Sequence, residues 1–251
     1  MNDTVLIESP VDLIVNSEPL VNIICLPKDL KELAVGFLYS IGIINAITDI
    51  KEIKTDEIEN QINVELSDSI TFSVKNLDIN PVGRVVDTSC GISSPWRDTI
   101  KKALENEKEL IKTKDDTRLS SGIIFSAIKR IYQEMNLYRE TGGCHGAAVF
   151  NMKGILLSLK EDIGRHNAID KVIGDMLLTK KSFNNVFLTS SGRLTGDCVL
   201  KAVRAKIPIV ASVSAAIESG IRLAFAYGIT LIGFVRGSRM NIYTHPYRII
   251  G

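Results

Sequence analysis

Arg165, Arg193, Arg236 and Arg239 each stand beside a glycine or a serine at a turn between apolar runs, a setting suited to holding an anion. A guanidinium offers phosphate oxygens a planar fork of donors, and an adjacent glycine lets the backbone come close. Arg165 and His166 also open a stretch in which Ala168, Val172, Ile173 and Met176 recur at helical spacing. That spacing predicts a helix starting near residue 165, with free N–H groups and the positive end of the dipole gathered around the Arg–His pair. The alternative is that Arg165 pairs with Glu161 or Asp162 and His166 simply packs. Arg193, in Ser190–Ser191–Gly192–Arg193, and the turn Arg236–Gly237–Ser238–Arg239 equally admit phosphate contacts or surface salt bridges.

The second source of chemistry is thiol. Cys25, Cys90, Cys144 and Cys198 are scattered and form no C-x-x-C, so neither a disulfide framework nor a zinc knuckle is indicated and reduced thiols are expected. Cys25 lies in an apolar run and reads as a small buried hydrophobe. Cys90 lies between Ser89 and Gly91 in residues 76–98, a loop rich in Gly, Pro, Ser and Asp. Long loops in compact domains tend to act as lids or binding elements, so Cys90 is a candidate nucleophile, with Arg84 or Arg97 near enough in sequence to favour a thiolate; an incidental thiol is the alternative. Cys144 sits in TGGCHGA beside His145, which would serve as its base if the geometry allowed.

The remaining composition narrows the setting for this chemistry. A chain of 251 residues suits one large domain, or a main domain with a smaller appendage. Thirty basic against 29 acidic side chains give a net charge of +1, so no global field draws the chain to nucleic acid or to an anionic membrane. No apolar run reaches the roughly 18–20 residues of a membrane helix, and the N-terminus shows no signal-peptide pattern, which makes the cytoplasm the expected compartment.

The elements that must position these residues change character along the chain. Val11–Val15 and Leu20–Leu26 read as a hairpin turning at Asn16, Ser17 and Pro19. Asp29 is placed to cap a core-facing helix through Leu30, Leu33, Ala34, Phe37, Leu38 and Ile41. Alternation at Ile50 and Ile53, at Ile62 and Val64, and at Ile70, Phe72 and Val74 predicts half-buried antiparallel strands. Residues 101–118 are highly charged and read as a solvated helix or linker. Beyond Ser121 a helix through Ile124, Ala127, Ile128 and Ile131 precedes strands at Gly146–Phe150 and Gly154–Leu159. After the helix at 165 come a strand at Val186–Thr189, a helix at Thr195–Ala205, a strand at Ile207–Ser212, a helix at Ala215–Tyr227 and a strand at Ile229–Val235. This alternation predicts a three-layer α/β domain over 121–251, behind a strand-rich region over 1–98 and a charged connection over 99–120, with ligands where strands end and helices begin.

Together the segments TGGCHGA, EDIGRHNAIDKVIG, SSGRLTGDCVLKA, ELAVGFLYSIGII and FVRGSRMNIYTH resemble the FdhD/NarQ family, the formate dehydrogenase accessory sulfurtransferases, from about residue 30 to the end. The resemblance implies a cytidine deaminase-like fold for the C-terminal domain. It also implies a sulfur carrier that takes persulfide sulfur from a cysteine desulfurase and passes it to the bis-molybdopterin guanine dinucleotide molybdenum cofactor before that enters the formate dehydrogenase catalytic subunit. A homodimer is a further expectation of the family.

The family's C-G-x-C-G loop reads here Cys90-Gly91-Ile92-Ser93-Ser94, so Cys90 matches the persulfide-bearing cysteine. Ser93 stands where a second cysteine is common, and transfer would have to run on one thiol. The family's cofactor-binding segment maps onto Phe234, Val235, Arg236, Gly237, Ser238 and Arg239, with Arg193 and Arg165 as further anion receptors and GDP as a partial analogue of the cofactor. A zinc deaminase would need H-x-E and P-C-x-x-C; His145-Gly146-Ala147 lacks the glutamate, and no zinc site is expected. The remaining alternative is a cofactor-binding chaperone without sulfur transfer.

Overall fold

The computed structural model describes residues 3–56, 58–74, 77, 85–86, 94–105 and 117–251. Strands β1 (Ser9–Val15) and β2 (Glu18–Cys25) pair antiparallel across Asn16 and Ser17, whose φ of 49° and 64° make the two-residue turn. Helix α1 (Leu30–Ser40) follows, then β3 (Ile50–Asp56), β4 (Gln61–Leu66) and β5 (Val85–Val86). Together these strands form a sheet in the order β3-β4-β1-β2-β5. The predicted apolar face of α1 is buried, and so are Val35, Gly36, Tyr39 and Ser40, because the helix lies between this sheet and a second helix.

Three expectations fail in this half, each for a tertiary reason. Asp29 occupies the N-cap position with φ 54° but makes no side-chain cap bond; its carboxylate accepts from Lys160 Nζ at 2.9 Å. Residues 70–74 add no strand, since the Val74 N–H is taken by the Glu18 carboxylate at 2.9 Å rather than by a neighbouring strand. The expected loop over 76–98 is interrupted: β5 pairs parallel with β2, and α2 (Ser94–Glu105) begins inside it. Trp96 fixes α2 by packing edge-on against Phe37, ring centroids 5.3 Å apart. Cys90, Ser93 and Arg84 lie outside the described residues.

The chain continues through β6 (Leu119–Ser120), α3 (Ser121–Glu134), α4 (Asn136–Thr141), β7 (His145–Asn151), β8 (Leu156–Asp162), α5 (Arg165–Leu178), β9 (Val186–Ser190), α6 (Gly196–Arg204), β10 (Ile209–Ser212), α7 (Glu218–Ala226), β11 (Thr230–Arg236), β12 (Arg239–Ile242) and β13 (Ile249–Ile250). Among the described residues a six-stranded sheet runs β12-β11-β10-β9-β7-β8, with β9, β10 and β11 parallel and the outer strands antiparallel. Alternate residues bury on opposite faces. Ala147, Val149, Leu188, Val210 and Leu231 join a core with α1, α5 and α6, while Ala148, Phe150, Phe187, Ile209 and Ile232 pack towards α3. Helix α4 was not anticipated, and α7 starts three residues later than expected because Ala216 bridges to Leu194 and Ile217 N–H bonds Leu194 O. No described helix is long and apolar enough to cross a membrane.

Helices α1 and α5 meet backbone to backbone. A Cβ on Gly36 would lie 1.8 Å from the Asp170 carbonyl oxygen, and one on Gly174 would lie 1.9 Å from that of Glu32. Beside this crossing two charged pairs are sealed in: Lys171 with Asp162 at 2.6 Å, and Lys201 with Asp170 at 2.7 Å, the latter carboxylate also accepting from Ser40 Oγ.

Candidate functional site

The carboxyl ends of β9, β10 and β11 open at one edge of the six-stranded sheet, the usual place for ligands in such sheets. Strand β7 runs against β9, with Ala147 opposite Ser190, so its first residue, His145, arrives where β9 ends. On its other side His145 lies opposite Asp162, the last residue of β8, and Gly164 and Arg165 follow at the start of α5. His145 Nδ1 meets Ser191 Oγ at 3.1 Å, and the same hydroxyl accepts from the Gly146 N–H at 3.0 Å.

Arg165 opens α5 as its spacing predicts, yet it pairs with neither acid before it. The Glu161 carboxylate accepts the N–H groups of Leu137 and Tyr138 at 3.1 and 2.8 Å, closing the first turn of α4. Asp162 is committed to Lys171, to the N–H groups of Leu26 and Gly164, and to Asn167 Nδ2. Arg165 is therefore 5% exposed, with no carboxylate partner and an unbonded Nε among the described residues. Its stem lies on Gly192, where an added Cβ would come within 2.8 Å of Arg165 Cβ. Burial first, then the charges of Arg165 and Arg193, lower the pKa of His145 below its ordinary 6.5, so these three residues share one electrostatic neighbourhood. Arg193 itself is exposed.

The second arginine turn is a β-hairpin between β11 and β12, not a strand-to-helix junction. An irregularity in the pairing between Gly233 and Arg236 coincides with Phe234 at φ 52°, left-handed for a residue with a Cβ. The Phe234 ring faces solvent with the Arg236 guanidinium 5.7 Å from its centroid, while Val235 is buried. Phe234, Arg236, Arg239 and Asn241 line an open groove of about 310 Å³. Gly237 supplies the turn with φ 58°, and Ser238 is exposed.

Two further hollows adjoin. One of about 460 Å³ runs from Arg236 and Val213 to Tyr132, and another of about 240 Å³ runs from Tyr132 to Cys144, His145 and Ser191. Tyr132 is common to both, and its phenol feels burial and Tyr138 pushing its pKa up and Arg236 pulling it down. Arg236 lines the first of these hollows, while Arg165, Arg193 and Arg239 line neither. Sequence reasoning missed Tyr132, Ser191 as the partner of His145, and the capping role of Glu161. A second stripe on α3, Phe125, Ile128, Lys129 and Tyr132 at helical spacing, was the available signal for the hollow.

The described cysteines are all buried thiols. Burial, then the Asp162 charge, pushes Cys25 up to about 12. Burial, then its hydrogen bond to Glu161 at 3.3 Å, does the same to Cys144, whose thiol therefore turns to a carboxylate and not to His145. Burial also raises Cys198, which contacts His166 Nδ1 at 3.6 Å. Among the described residues no group of three or more His, Cys, Asp or Glu is placed to hold a metal ion.

The FdhD/NarQ family model matches residues 6–250, extending the resemblance to nearly the whole chain. The chain is 36% identical to the sulfur carrier protein FdhD of Sulfolobus acidocaldarius over 98% of its own length and 91% of that protein's. It is 41% identical to the FdhD of Thermoplasma acidophilum, over 87% and 75% of the two lengths. Against the FdhD of Bacillus subtilis the identity is 33%, over 99% and 91%. A crystal structure described as a formate dehydrogenase accessory protein from Desulfotalea psychrophila superposes with a TM-score of 0.76 at 29% identity, covering 100% of this chain and 92% of that one. The chain belongs to the FdhD/NarQ family.

Proposed function

From that membership we propose that the chain is a sulfur carrier serving formate dehydrogenase. It accepts sulfur from a cysteine desulfurase as a persulfide on Cys90 and passes it to the bis-molybdopterin guanine dinucleotide cofactor. The accepting step is balanced without an oxidant: the Cys90 thiolate attacks the outer sulfur of the donor persulfide, the donor cysteine leaves as thiolate, and the sulfane sulfur moves across. The observation that carries the assignment to Cys90 is the state of the other three thiols. Cys25, Cys144 and Cys198 are buried with raised pKa values, and a protonated buried thiol is a poor nucleophile.

The cofactor is cargo in this reading, with nucleotide ends held by Phe234–Arg239, Arg193 and Arg165. Arg236 and Arg239 supply donors to phosphate, the exposed Phe234 ring offers a stacking face, and Tyr132 lines the two hollows that run from Arg236 to His145 and Ser191. We read the six-stranded sheet with helices on both faces as the cytidine deaminase-like layer of the family, carried by residues 121–251. A cytoplasmic homodimer is part of the same proposal.

A second reading has a specific observation behind it. Ser93 stands where a second cysteine is common, which suits a chaperone that binds the cofactor without transferring sulfur. Cys90→Ser and Cys144→Ser, scored for activation of formate dehydrogenase with cofactor binding followed in parallel, separate the two. A carrier loses activation only in Cys90→Ser; a chaperone keeps it in both.

A further inference from the structure

We infer that the hollow of about 240 Å³ at the start of β7 receives an uncharged, flat heterocycle whose edge carries a ring N–H beside a carbonyl. The inference rests on the proposed cargo only for the natural source of that ring; the receptor is read from its lining. Among the described residues the side chains that line it are those of Tyr132, Tyr138, Cys144, His145, Ile163 and Ser191, with no lysine, arginine, aspartate or glutamate. Three of its titratable groups are also pushed to their neutral forms. Burial, the largest cause in each, lowers the pKa of His145 and raises those of Tyr132 and Cys144, the last to about 12. Arg165 and Arg193 act on His145 through space, but neither lines the hollow, so a phosphate there would meet no guanidinium fork.

What the hollow offers is ring surface and spare hydrogen bonds. The Tyr132 and Tyr138 rings meet edge to face with centroids 5.5 Å apart, a wall against which a flat ligand packs. Neither phenol hydroxyl makes a hydrogen bond among the described residues, and His145, which spends Nδ1 on Ser191, makes none at Nε2. The Ser191 hydroxyl already accepts the Gly146 N–H. If it gives its own proton to Nδ1, Nε2 is a donor; in the other tautomer Nε2 is an acceptor. A ring N–H beside a carbonyl answers either state, and the phenols both give and accept. Guanine and pterin share that edge, each with an exocyclic amine next to the ring N–H, and the proposed cargo contains both. The neighbouring hollow shares Tyr132 and runs past Ile128, Val213 and Val235 to Arg236, which also lines the hairpin groove with Arg239. A ligand lying along this track places its uncharged ring at His145 and its anionic groups at the hairpin.

The test titrates the full chain with pterin, guanosine, adenosine, GDP and inorganic phosphate, by calorimetry and by NMR of the imidazoles, with His145 identified by His145→Gln. Pterin or guanosine should bind the native protein and shift the His145 resonances while leaving His245 unmoved, and phosphate should leave His145 unmoved. Adenosine, with an amine in place of the carbonyl and no ring N–H, should bind at least about ten-fold more weakly than the tighter of the two. Tyr132→Leu should weaken that tighter ligand by about ten-fold, as the loss of a stacking ring does. Tighter pterin marks the pterin as the natural occupant and tighter guanosine marks the guanine; both support the receptor. The inference is overturned if neither heterocycle moves His145 in the native protein, a result that needs no variant to fold. It is equally overturned if adenosine binds as well as they do, if phosphate alone moves His145, or if a folded Tyr132→Leu keeps full affinity. GDP binding that persists while neither heterocycle moves His145 overturns the inference and leaves the cargo reading standing. A heterocycle bound at His145 with no GDP binding anywhere supports the hollow and overturns the nucleotide end of the cargo.

Discussion

Lys171 and Lys201 are sealed inside the molecule with carboxylates at 2.6 and 2.7 Å, whereas Arg165, one end of the same helix as Lys171, is buried with none among the described residues. The two lysines bind elements together: Lys171 also reaches the Leu26 carbonyl at 3.0 Å, and Asp170 takes Ser40 from α1 as well as Lys201 from α6. Arg165 makes no such link among the described residues. One contiguous motif, EDIGRHNAIDKVIG, therefore divides by partner, with Asp162, Asp170, Lys171 and Gly174 holding the fold and Arg165 buried without a carboxylate among the described residues.

The sharpest way to break that division is Asp170→Ala, which strands a buried ammonium. It should cost about 3–5 kcal/mol in urea unfolding, and a loss under about 1 kcal/mol would mean that the pair is not structural. Next in size is Gly174→Ala, whose methyl would fall 1.9 Å from the Glu32 carbonyl oxygen. Forcing α1 and α5 apart should cost about 3 kcal/mol, at the upper end of overpacking. Arg165→Met should do the opposite of Asp170→Ala: the melting temperature stays or rises, because an uncompensated charge is removed from the interior. A destabilised Arg165→Met would show that Arg165 also belongs to the architecture. The smallest effect is in pH. The folded-state pKa of His145 lies below its ordinary 6.5, so the unfolded chain binds the proton more readily. Stability carried by this group is complete above about 6.5 and falls as the pH drops towards the folded pKa, and His145→Gln should flatten that part of the profile.

The periodic parts of this fold were legible in the sequence, and the parts made by long-range contacts were not. Local spacing found α1, α3, α5 and the parallel strands within a few residues, and it placed Arg165 at a helix start. It failed at Asp29, where Lys160 from β8 offers a better partner than the helix N–H groups, and at 70–74, where Glu18 intercepts the backbone. The site was half legible. Glycine-flanked arginines marked the turns, but only tertiary structure shows that Glu161 and Asp162 are spoken for, which leaves Arg165 without a carboxylate among the described residues. The hollow at Tyr132 depends on how α3 lies against the sheet, and no local pattern encodes that.

Cys25, Cys144 and Cys198 are held in the packed interior, and Cys90 falls between β5 and the Trp96-anchored α2, outside the described residues. The most direct measurement is peptide mass spectrometry of the native chain after incubation with a cysteine desulfurase and cysteine. The account predicts one added sulfur atom on the peptide carrying Cys90, removable by reductant and absent from the other three. Sulfur on Cys144 with none on Cys90, or no added sulfur under conditions that load a known carrier, would contradict it.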